Sequence, residues 1–424
     1  MNMWSVAALG IGAMVGAGIF ALLGQAVLAT GRLVIASLLI SGTLALLSGS
    51  SMARLAAHYP ERGGLTDYLK VAFPTGAFAP ALSLVYVVTL VIGVAVVSKS
   101  FGAYAALLFF NGADPPWLAD GLALAMIVAV AALNLVGAKT VGRTEEMLVG
   151  IKMGVLVLLI VASFFSFDPD RVMRGSPVAL PELTSSVLLT FFAFTGFGMM
   201  ATASASVANP QREMPRAIML AIVVVTLLYV ALALVILGNL SPAQLQHSPN
   251  TAVADAARPV LGQFGFTVVS IGGLLATASS TNASFFSILN LNADLVQNRE
   301  LPRSFTSRVM HVPFGFLIGL IFTALLILGL RLDEIANVAG MTFLIAYLAV
   351  FGAHWRLHGT VGGSRLMIIV GALLMLTVLL GSIIQMVTKQ PSGAVLLIAL
   401  LTSCAATARH FARVRSKAED PTTR

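Results

Sequence analysis

The chain has 424 residues, of which 58% are hydrophobic and only 10% are charged, whereas soluble globular proteins are about 25% charged. This composition excludes a water-soluble protein and predicts an integral membrane protein, because so few charges could not keep so much apolar surface in water. The formal net charge of +8 comes from basic residues scattered singly between apolar segments, which argues against nucleic-acid binding.

Twelve apolar segments are each long enough to cross a bilayer, which takes a helix of about 20 residues. They cover residues 3–30, 33–57, 78–109, 118–137, 144–166, 185–206, 216–238, 264–296, 312–330, 334–354, 366–388 and 392–410. With the N-terminus in the cytoplasm, 17 Lys and Arg residues lie on the cytoplasmic side and 6 on the other side. We therefore predict an all-α protein of 12 transmembrane helices in the inner (plasma) membrane, with both termini cytoplasmic.

Several catalytic and cofactor-binding patterns are absent from the sequence. The single cysteine, Cys404, allows no internal disulfide, and the string at residues 137–140 lacks the second glycine of a phosphate-binding loop. All 6 histidines and all 17 acidic residues fall in loops or near span ends, so no haem or metal ligand is expected at depth. We predict a protein that is not an enzyme and holds no cofactor and no metal.

The first span contains Gly10, Gly12, Gly16 and Gly18 within one hydrophobic segment. Each glycine costs about 1 kcal/mol relative to alanine in a helix, so such a cluster favours a break. An alternative reading is a packing face of small residues, since Gly12 and Gly16 have the GxxxG spacing that lets helices approach closely.

The sixth span also has glycines inside an apolar run, at Gly196 and Gly198, five spans after the first. Paired interruptions at corresponding positions of two halves are typical of a transporter's substrate site. Amide N–H groups at such a break can bind an anionic group, and freed carbonyls can accept from a cation. A zwitterion such as an amino acid satisfies both requirements.

An ordered set of motifs resembles the amino acid/polyamine/organocation transporter superfamily. The motifs are GAMVGAGIF at 12–20, PERGG at 60–64, FFAFTGFG at 191–198, NPQREMPRAI at 209–218 and SSTNAS at 279–284 with Leu301-Pro302 beyond it. The resemblance implies the fold named for the bacterial leucine transporter, in which spans 1 and 6 are discontinuous. Its five-plus-five inverted repeats would be residues 1–166 and 167–358, followed by peripheral spans at 359–410 and a tail at 411–424.

The resemblance also implies roles for individual residues. Backbone amides of the first span would bind the substrate carboxylate, namely those of Gly16, Ala17, Gly18 and Ile19. Backbone carbonyls near Ala193, Phe194 and Thr195 would receive its ammonium group. Phe192 and Phe197 would be aromatic gates, although packing against lipid or protein is the alternative for a single phenylalanine.

The sequence departs from the superfamily at positions that bear on substrate charge. Many members have two glutamates where this chain has Ala205 and Ser206, and relatives that handle dications often have a glutamate at the position of Gly198. Without a buried carboxylate, the second charge of a dication would be unpaired in a low dielectric, which is costly. Neutral amino acids are therefore the better prediction.

Lys152 is the deepest ionisable residue in the inner half of the predicted spans, about 12 Å from Thr144 along span 5. One alternative is that its side chain reaches back to the membrane surface. The functional alternative places its ammonium beside the break in span 1 and the hydroxyls of Ser279 and Ser280, and archaeal proton-coupled permeases of the superfamily are similar in having a lysine there. For Lys99, in the outer third of span 3, we predict a side chain that extends to the surface.

These observations predict a secondary transporter that takes up neutral L-amino acids with H⁺ by alternating access. A sodium-independent exchanger of cationic amino acids or polyamines is the alternative within transport, and a membrane sensor or structural subunit is the alternative outside it. The expected partners are an amino acid, H⁺ and the lipid bilayer. No nucleic acid is expected, and the chain is expected to be a monomer or a weak homo-oligomer.

Overall fold

The computed structural model describes residues 1–61, 63–110, 116–136, 141–163, 168–169, 172, 180–309 and 312–419, and these are almost entirely helical. The helices are α1 Met3–Met14, α2 Ala17–Thr30, α3 Val34–His58, α4 Leu65–Ala72, α5 Phe78–Phe110, α6 Pro116–Val136, α7 Val141–Ser163, α8 Leu180–Phe194, α9 Pro210–Asn239, α10 Pro242–His247, α11 Ala252–Asp255, α12 Arg258–Gln297, α13 Phe314–Gly329, α14 Leu332–Arg356, α15 His358–Val361, α16 Arg365–Lys389 and α17 Pro391–Glu419. Short 3-10 helices cover Gly31–Leu33, Thr195–Ser206, Pro249–Thr251 and Arg303–Thr306.

The one sheet among the described residues is a two-residue hairpin. Strand β1, Arg308–Val309, pairs antiparallel with β2, Val312–Pro313. Some features of the sequence analysis lie outside the described residues. They are Arg62 of the PERGG motif, the string at 137–140, the predicted boundary between repeats at 166 and 167, and residues 420–424 of the tail.

Helices that could cross a membrane dominate the structure. Within the described ranges, nine helical stretches are long and apolar enough, and they include Phe78–Phe110, Pro210–Asn239 and Leu332–Arg356. Three shorter apolar helices, Met3–Met14, Met147–Ser163 and Phe314–Gly329, lie within predicted spans 1, 5 and 9. The chain is therefore a multi-pass membrane protein, as predicted, while the count of 12 spans stays a prediction.

Two of the predicted spans are not continuous α-helices. In the first, α1 ends at Met14 and α2 begins at Ala17, with Val15 and Gly16 in a bend between them. In the sixth, α8 ends at Phe194 and the chain continues as a 3-10 helix from Thr195 to Ser206. A 3-10 run of 12 residues is unusual, because such runs rarely exceed three or four residues.

One end of the helix bundle carries the N-terminus, and we call it the terminal end. There the Met1 amine donates to Ser206 O, and the Ser204 hydroxyl donates to Pro60 O over 2.9 Å. Lys70 of α4 pairs with Glu300 at 3.8 Å, and Glu300 is only 2% exposed. The first two contacts join the end of the sixth predicted span to the N-terminus and to the segment after α3, and the third joins α4 to the segment after α12.

The opposite end of the bundle is covered by the segment between α9 and α12. Gln25 of α2 donates a hydrogen bond to Asn250 in this segment over 2.7 Å. A Cβ atom at Gly24 would collide with Pro249 O, so glycine is required for this close approach. The contact fixes the segment above α2.

Lys99 lies in α5 near the opposite end and differs from its prediction. Its ammonium donates to Ile327 O and Leu330 O over 2.6 and 2.9 Å and pairs with Asp120 at 2.9 Å. The first two groups are at the C-terminus of α13, where free carbonyls carry partial negative charge. Lys99 therefore joins α5, α6 and α13 instead of extending to the surface.

Candidate functional site

The break between α1 and α2 frees backbone groups in the interior of the bundle. The Gly16 N–H donates to Met14 O over 2.7 Å, which leaves the helical path, and Gly16 has no side chain to cap α2. The first N–H groups of any α-helix have no partner within the helix. The N-terminus of α2, from Ala17 through Ile19, can therefore present donors and positive partial charge to an anionic group.

The two interrupted helices touch each other backbone to backbone. A Cβ atom at Gly18 would lie 2.5 Å from the Ala193 Cα, and a Cβ atom at Gly196 would lie 2.5 Å from the Ala13 carbonyl carbon. Only glycine permits these approaches without displacing the backbone of the partner helix. The glycines that predicted the interruptions thus also hold α1, α2 and α8 together at them.

Three buried tyrosines bind the carbonyls at these interruptions. The Tyr229 hydroxyl of α9 lies 2.6 Å from Met14 O and 3.1 Å from Ala193 O, so one phenol joins both interrupted helices. Tyr347 of α14 donates to Thr195 O over 2.9 Å. Tyr104 of α5 donates to Phe20 O over 3.1 Å. These contacts satisfy backbone acceptors that no water could reach.

Two of the carbonyls assigned to the substrate ammonium therefore already accept hydrogen bonds. Ala193 O faces Tyr229, and Thr195 O accepts from Tyr347. A carbonyl oxygen has two lone pairs, so a second donor can still bind each of them. Phe194 is fully buried, and its ring packs 5.1 Å from that of Tyr229.

The two phenylalanines predicted as gates belong to an aromatic cluster. The Phe192 ring is 7% exposed and meets Phe343 edge-on at 5.7 Å, and Phe197 is fully buried with its ring 4.7 Å from that of Tyr347. Phe343 and Tyr347 are themselves stacked at 6.3 Å on α14. The cluster encloses the α8 interruption on the side of α14.

Lys152 is buried beside the break in the first span. Its side chain is 1% exposed, and its ammonium lies 3.4 Å from Gly12 O near the end of α1. This position does not fit a side chain that reaches the membrane surface. A buried ammonium needs nearby oxygen acceptors, and a carbonyl beside a helix break is one.

The serines predicted beside Lys152 lie on α12. The Ser280 hydroxyl would be 3.3 Å from a Cβ atom at Gly16, so it borders the break directly. Ser279 is 6% exposed and buried in the same helix. The structure thus brings together the α1 end, Lys152 and Ser280. Gly12 packs against Val149 of α7, whereas Gly16 faces Ser280 of α12, so the two glycines do not form the single packing face of the alternative reading.

Sequence reasoning missed the tyrosines and Phe343. The one detectable signal of the tyrosines is a phenol inside an apolar span, which implies a hydrogen-bond partner when buried; Phe343 gives no such signal. The partner itself is invisible in the sequence, because Tyr229 and Met14 are 215 positions apart.

Comparison with known proteins points in one direction. Residues 1–406 match the family described as amino acid permease. The chain is 42% identical over 384 residues to the inner membrane transport protein YbaT of Escherichia coli, covering 90% of this chain and 89% of that protein. It is 23% identical over 369 residues to the serine/threonine exchanger SteT of Bacillus subtilis, covering 84% and 82%. It is 29% identical over 288 residues to the cationic amino acid transporter 1 of Arabidopsis thaliana, covering 65% and 48%.

Proposed function

Since this chain belongs to the amino acid permease family, we propose that it takes up neutral L-amino acids together with protons by alternating access. The family consists of transporters, so the chain is an amino acid transporter and not an enzyme. The finer proposal concerns the substrate, the driving ion and the direction in which the chain faces.

We place the substrate at the two interruptions. Its carboxylate would accept hydrogen bonds from the amides of Gly16, Ala17, Gly18 and Ile19 at the N-terminus of α2. Its ammonium would donate to carbonyls of the segment from Ala193 to Thr195. Because Gly18 and Ala193 are in contact, substrate entry requires α2 and α8 to separate at that point.

The charges around the interruptions favour a neutral amino acid. Among the buried residues that the structure describes, Glu300 is the one carboxylate, and it lies at the terminal end beside Lys70. A cationic side chain bound between α2 and α8 would therefore be desolvated without a carboxylate partner, which is costly. The aromatic cluster of Phe192, Phe197, Phe343 and Tyr347 offers instead an apolar wall.

The position of Lys152 carries the proposal of proton coupling. A protonated Lys152 holds positive charge and three donors against the break, where Gly12 O accepts at 3.4 Å. Loss of the proton removes that attraction. Protonation would thus stabilise the α1–α2 break that binds substrate, and deprotonation would loosen it. Ser279 and Ser280 are the hydroxyls that would share the ammonium.

The interruptions also fit the proposed repeats. They lie five predicted spans apart, in residues 1–166 and 167–358, as two inverted repeats of five spans require. The distribution of basic residues supports a cytoplasmic position for the terminal end in the proposed inner-membrane location.

Reconstituted protein tests this function. We expect purified chain in liposomes to accumulate a labelled neutral amino acid such as alanine under an inward pH gradient, and unlabelled neutral amino acids to compete better than lysine or putrescine. Under a sodium gradient alone we expect no accumulation. Accumulation that follows sodium, or stronger competition by putrescine, would contradict the proposal.

An exchanger is the second candidate, because one similar protein is named as a serine/threonine exchanger. An obligatory exchanger moves labelled substrate only when liposomes are preloaded with unlabelled substrate. Uptake into empty liposomes under a pH gradient separates symport from exchange.

A further inference from the structure

A cavity lined by unsatisfied polar groups lies at the opposite end of the bundle, away from the interruptions. It has a volume of about 50 Å³ and is enclosed by α8, α14 and α16. The polar part of its wall comes from Ser185, Asn337, Ser382, Gln385 and Lys389. A single water needs roughly 10–15 Å³ by this kind of measure, so the space suits about four waters or one small organic group.

Three buried oxygens of this cavity have no hydrogen-bond partner in the part of the chain that the structure describes. They are Asn337 Oδ1, Ser382 Oγ and Gln385 Oε1. Ser382 is 2% exposed and Asn337 is 9% exposed. Buried polar atoms are nearly always paired, so three such oxygens at one cavity indicate that something with donors occupies it.

The orientation of the Asn337 amide is fixed by a chain of hydrogen bonds. The Asp333 carboxylate can only accept, and Gln390 Nε2 donates to it over 3.3 Å. Gln390 Oε1 is then turned toward Asn337, whose Nδ2 donates to it over 3.0 Å. This leaves Asn337 Oδ1 as the atom that faces the cavity. A flip of the amide would break the chain, so this position is a committed acceptor.

The charged residues near the cavity are paired with one another, so they leave it close to neutral. Lys389 is held by Glu182 at 3.4 Å, and its side chain is 55% exposed, so water screens its charge. Asp333 pairs with Arg331 at 3.2 Å, and Glu334 caps the same turn of α14. The one charged side chain in the cavity wall is thus that of Lys389, and Glu182 offsets its charge.

We propose that this cavity binds a protonated amino group, with Asn337 Oδ1 and Gln385 Oε1 as acceptors and Ser382 as a third oxygen ligand. The group can come from a simple amine or from a free amino acid whose carboxylate turns toward Lys389. Occupancy joins α8 to α14 and α16. The site is separate from the substrate site proposed at the interruptions.

A cysteine reporter tests the proposal without reference to transport. Cys404 is the single cysteine of the chain, so Cys404→Ala provides a cysteine-free background. In it, Ser185→Cys places a thiol in the cavity wall, outside the three proposed ligands. We expect methylammonium to slow modification of this thiol by a small neutral thiol reagent. At ten times its Kd the slowing is about ten-fold, because labelling follows the unoccupied fraction.

Four probes identify the chemistry. Methylammonium and glycine both carry N–H donors, tetramethylammonium carries the charge alone, and acetate carries the carboxylate alone. We expect protection by methylammonium or glycine and none by tetramethylammonium or acetate. Stronger protection by glycine than by methylammonium assigns the site to amino acids, and the reverse order assigns it to amines. Equal protection by tetramethylammonium, or none by either N–H donor, would overturn the proposal.

Two further variants locate the effect. Asn337→Leu removes the committed acceptor at similar volume, and Thr377→Ala is a matched change at an exposed position of α16, where the hydroxyl bonds only within its own helix. We expect protection to be lost in Asn337→Leu and kept in Thr377→Ala, with monodisperse elution as the folding check. Ser382→Ala provides a second test if Asn337→Leu does not fold. Protection retained in both ligand variants would contradict the site.

The Gly18→Ala change separates this site from the substrate site. It disturbs the contact between α2 and α8 where substrate is proposed to bind. Protection of Ser185→Cys that survives in Gly18→Ala supports a distinct site, and protection lost together with uptake would show that the cavity only reports substrate binding. The protection result can be interpreted even if the unmodified chain shows no uptake, because thiol modification is measured independently of transport.

Discussion

Tyr229 is the residue whose hydroxyl joins the two interrupted helices. It lies within hydrogen-bond distance of Met14 O and Ala193 O, one from each interruption. The carbonyls need this donor because they are buried and have left the regular helical pattern. A phenol on a continuous helix, α9, thus sets the relative position of two discontinuous ones.

The Tyr229→Phe change should weaken both stability and substrate binding. Loss of one hydrogen bond of this kind costs about 1 kcal/mol, or roughly a five-fold loss of apparent affinity if it falls on binding. Thermal unfolding in detergent and the concentration dependence of uptake measure the two effects. The matched control is Tyr59→Phe, which removes a phenol that lies outside the site. An unfolding temperature and an apparent affinity that stay unchanged in Tyr229→Phe would contradict the role of the hydroxyl.

Single residues differ in how far the sequence could predict them. Gly16, Gly18 and Lys152 could be found because glycine clusters and a lysine are anomalies inside an apolar helix. Tyr347 and Phe343 could not, because an aromatic residue in an apolar span is ordinary until its neighbours are known. Lys99 was predicted to extend to the surface. Its acceptors at Ile327 and Leu330 could not be found from the sequence because they lie more than 200 positions away in the chain.

At the scale of helices, the close approach of α2 to α8 decides whether the site can form. Because this approach requires a residue without a side chain, glycine-to-alanine substitutions can test it directly. Gly18 faces the Ala193 backbone, whereas a Cβ atom at Gly154 of α7 would meet nothing within 4 Å. The same substitution at the two positions therefore isolates the contact.

We expect Gly18→Ala to lower uptake strongly and Gly154→Ala to leave it near normal. The added methyl at 18 would lie 2.5 Å from the Ala193 Cα, and overpacking of this kind typically costs about 1–3 kcal/mol. At 154 the change removes a helix-weakening glycine and should stabilise α7 slightly. Initial uptake rates at equal protein in liposomes provide the measurement. Equal rates for both variants would show that the contact is dispensable.

Lys99 of α5 joins two other helices, α6 and α13, in a similar way. We expect Lys99→Met to lower the unfolding temperature clearly, because Asp120 would lose its cation and the C-terminal carbonyls of α13 their donor. The control is Arg331→Met: Arg331 also pairs with an aspartate, but its side chain is 80% exposed, and such pairs contribute about 0–1 kcal/mol. Thermal unfolding of both variants in one detergent compares them. Equal shifts would contradict a structural role for Lys99.

Helix positions were largely predictable from apolar length, whereas their ends were not. The seventh span was predicted to begin at 216, but α9 begins at Pro210 with Pro215 inside it. A proline at the first turn is compatible with a helix because its missing N–H has no partner there in any case. The 3-10 geometry of Thr195–Ser206 was also beyond the sequence, which indicated an interruption but not its form.

For the whole molecule, the proposed orientation makes opposite predictions for its two ends. Ser392 and Thr360 are both exposed. Ser392 lies at the opposite end of the bundle, and Thr360 lies at the terminal end. In the Cys404→Ala background, we expect a membrane-impermeant thiol reagent to label Ser392→Cys in intact cells. Thr360→Cys should be labelled only after the membrane is permeabilised.

The reversed labelling pattern would contradict the orientation and with it the cytoplasmic position of the termini. Labelling of both cysteines in permeabilised cells is the control for reactivity. The charge count supports the expected pattern, since lysines and arginines concentrate at the terminal end.

The arrangement as a whole puts one titratable group against the break at which substrate is proposed to bind. Lys152 contacts Gly12 O, Ser280 borders Gly16, and Gly18 contacts the second interruption at Ala193. A change of charge on Lys152 would therefore reach the backbone amides proposed to bind substrate through only a few residues of backbone. This proximity is the physical basis of the proposed coupling between a proton and an amino acid.

Proton movement with substrate is the direct measurement. A pH-sensitive dye trapped in proteoliposomes should report acidification of the lumen when alanine is added outside, and no acidification with Lys152→Ala. Lys152→Arg keeps the positive charge but cannot release a proton, so it too should show none. Acidification at the normal rate in Lys152→Ala, or alanine uptake by the unmodified chain without acidification, would contradict the account.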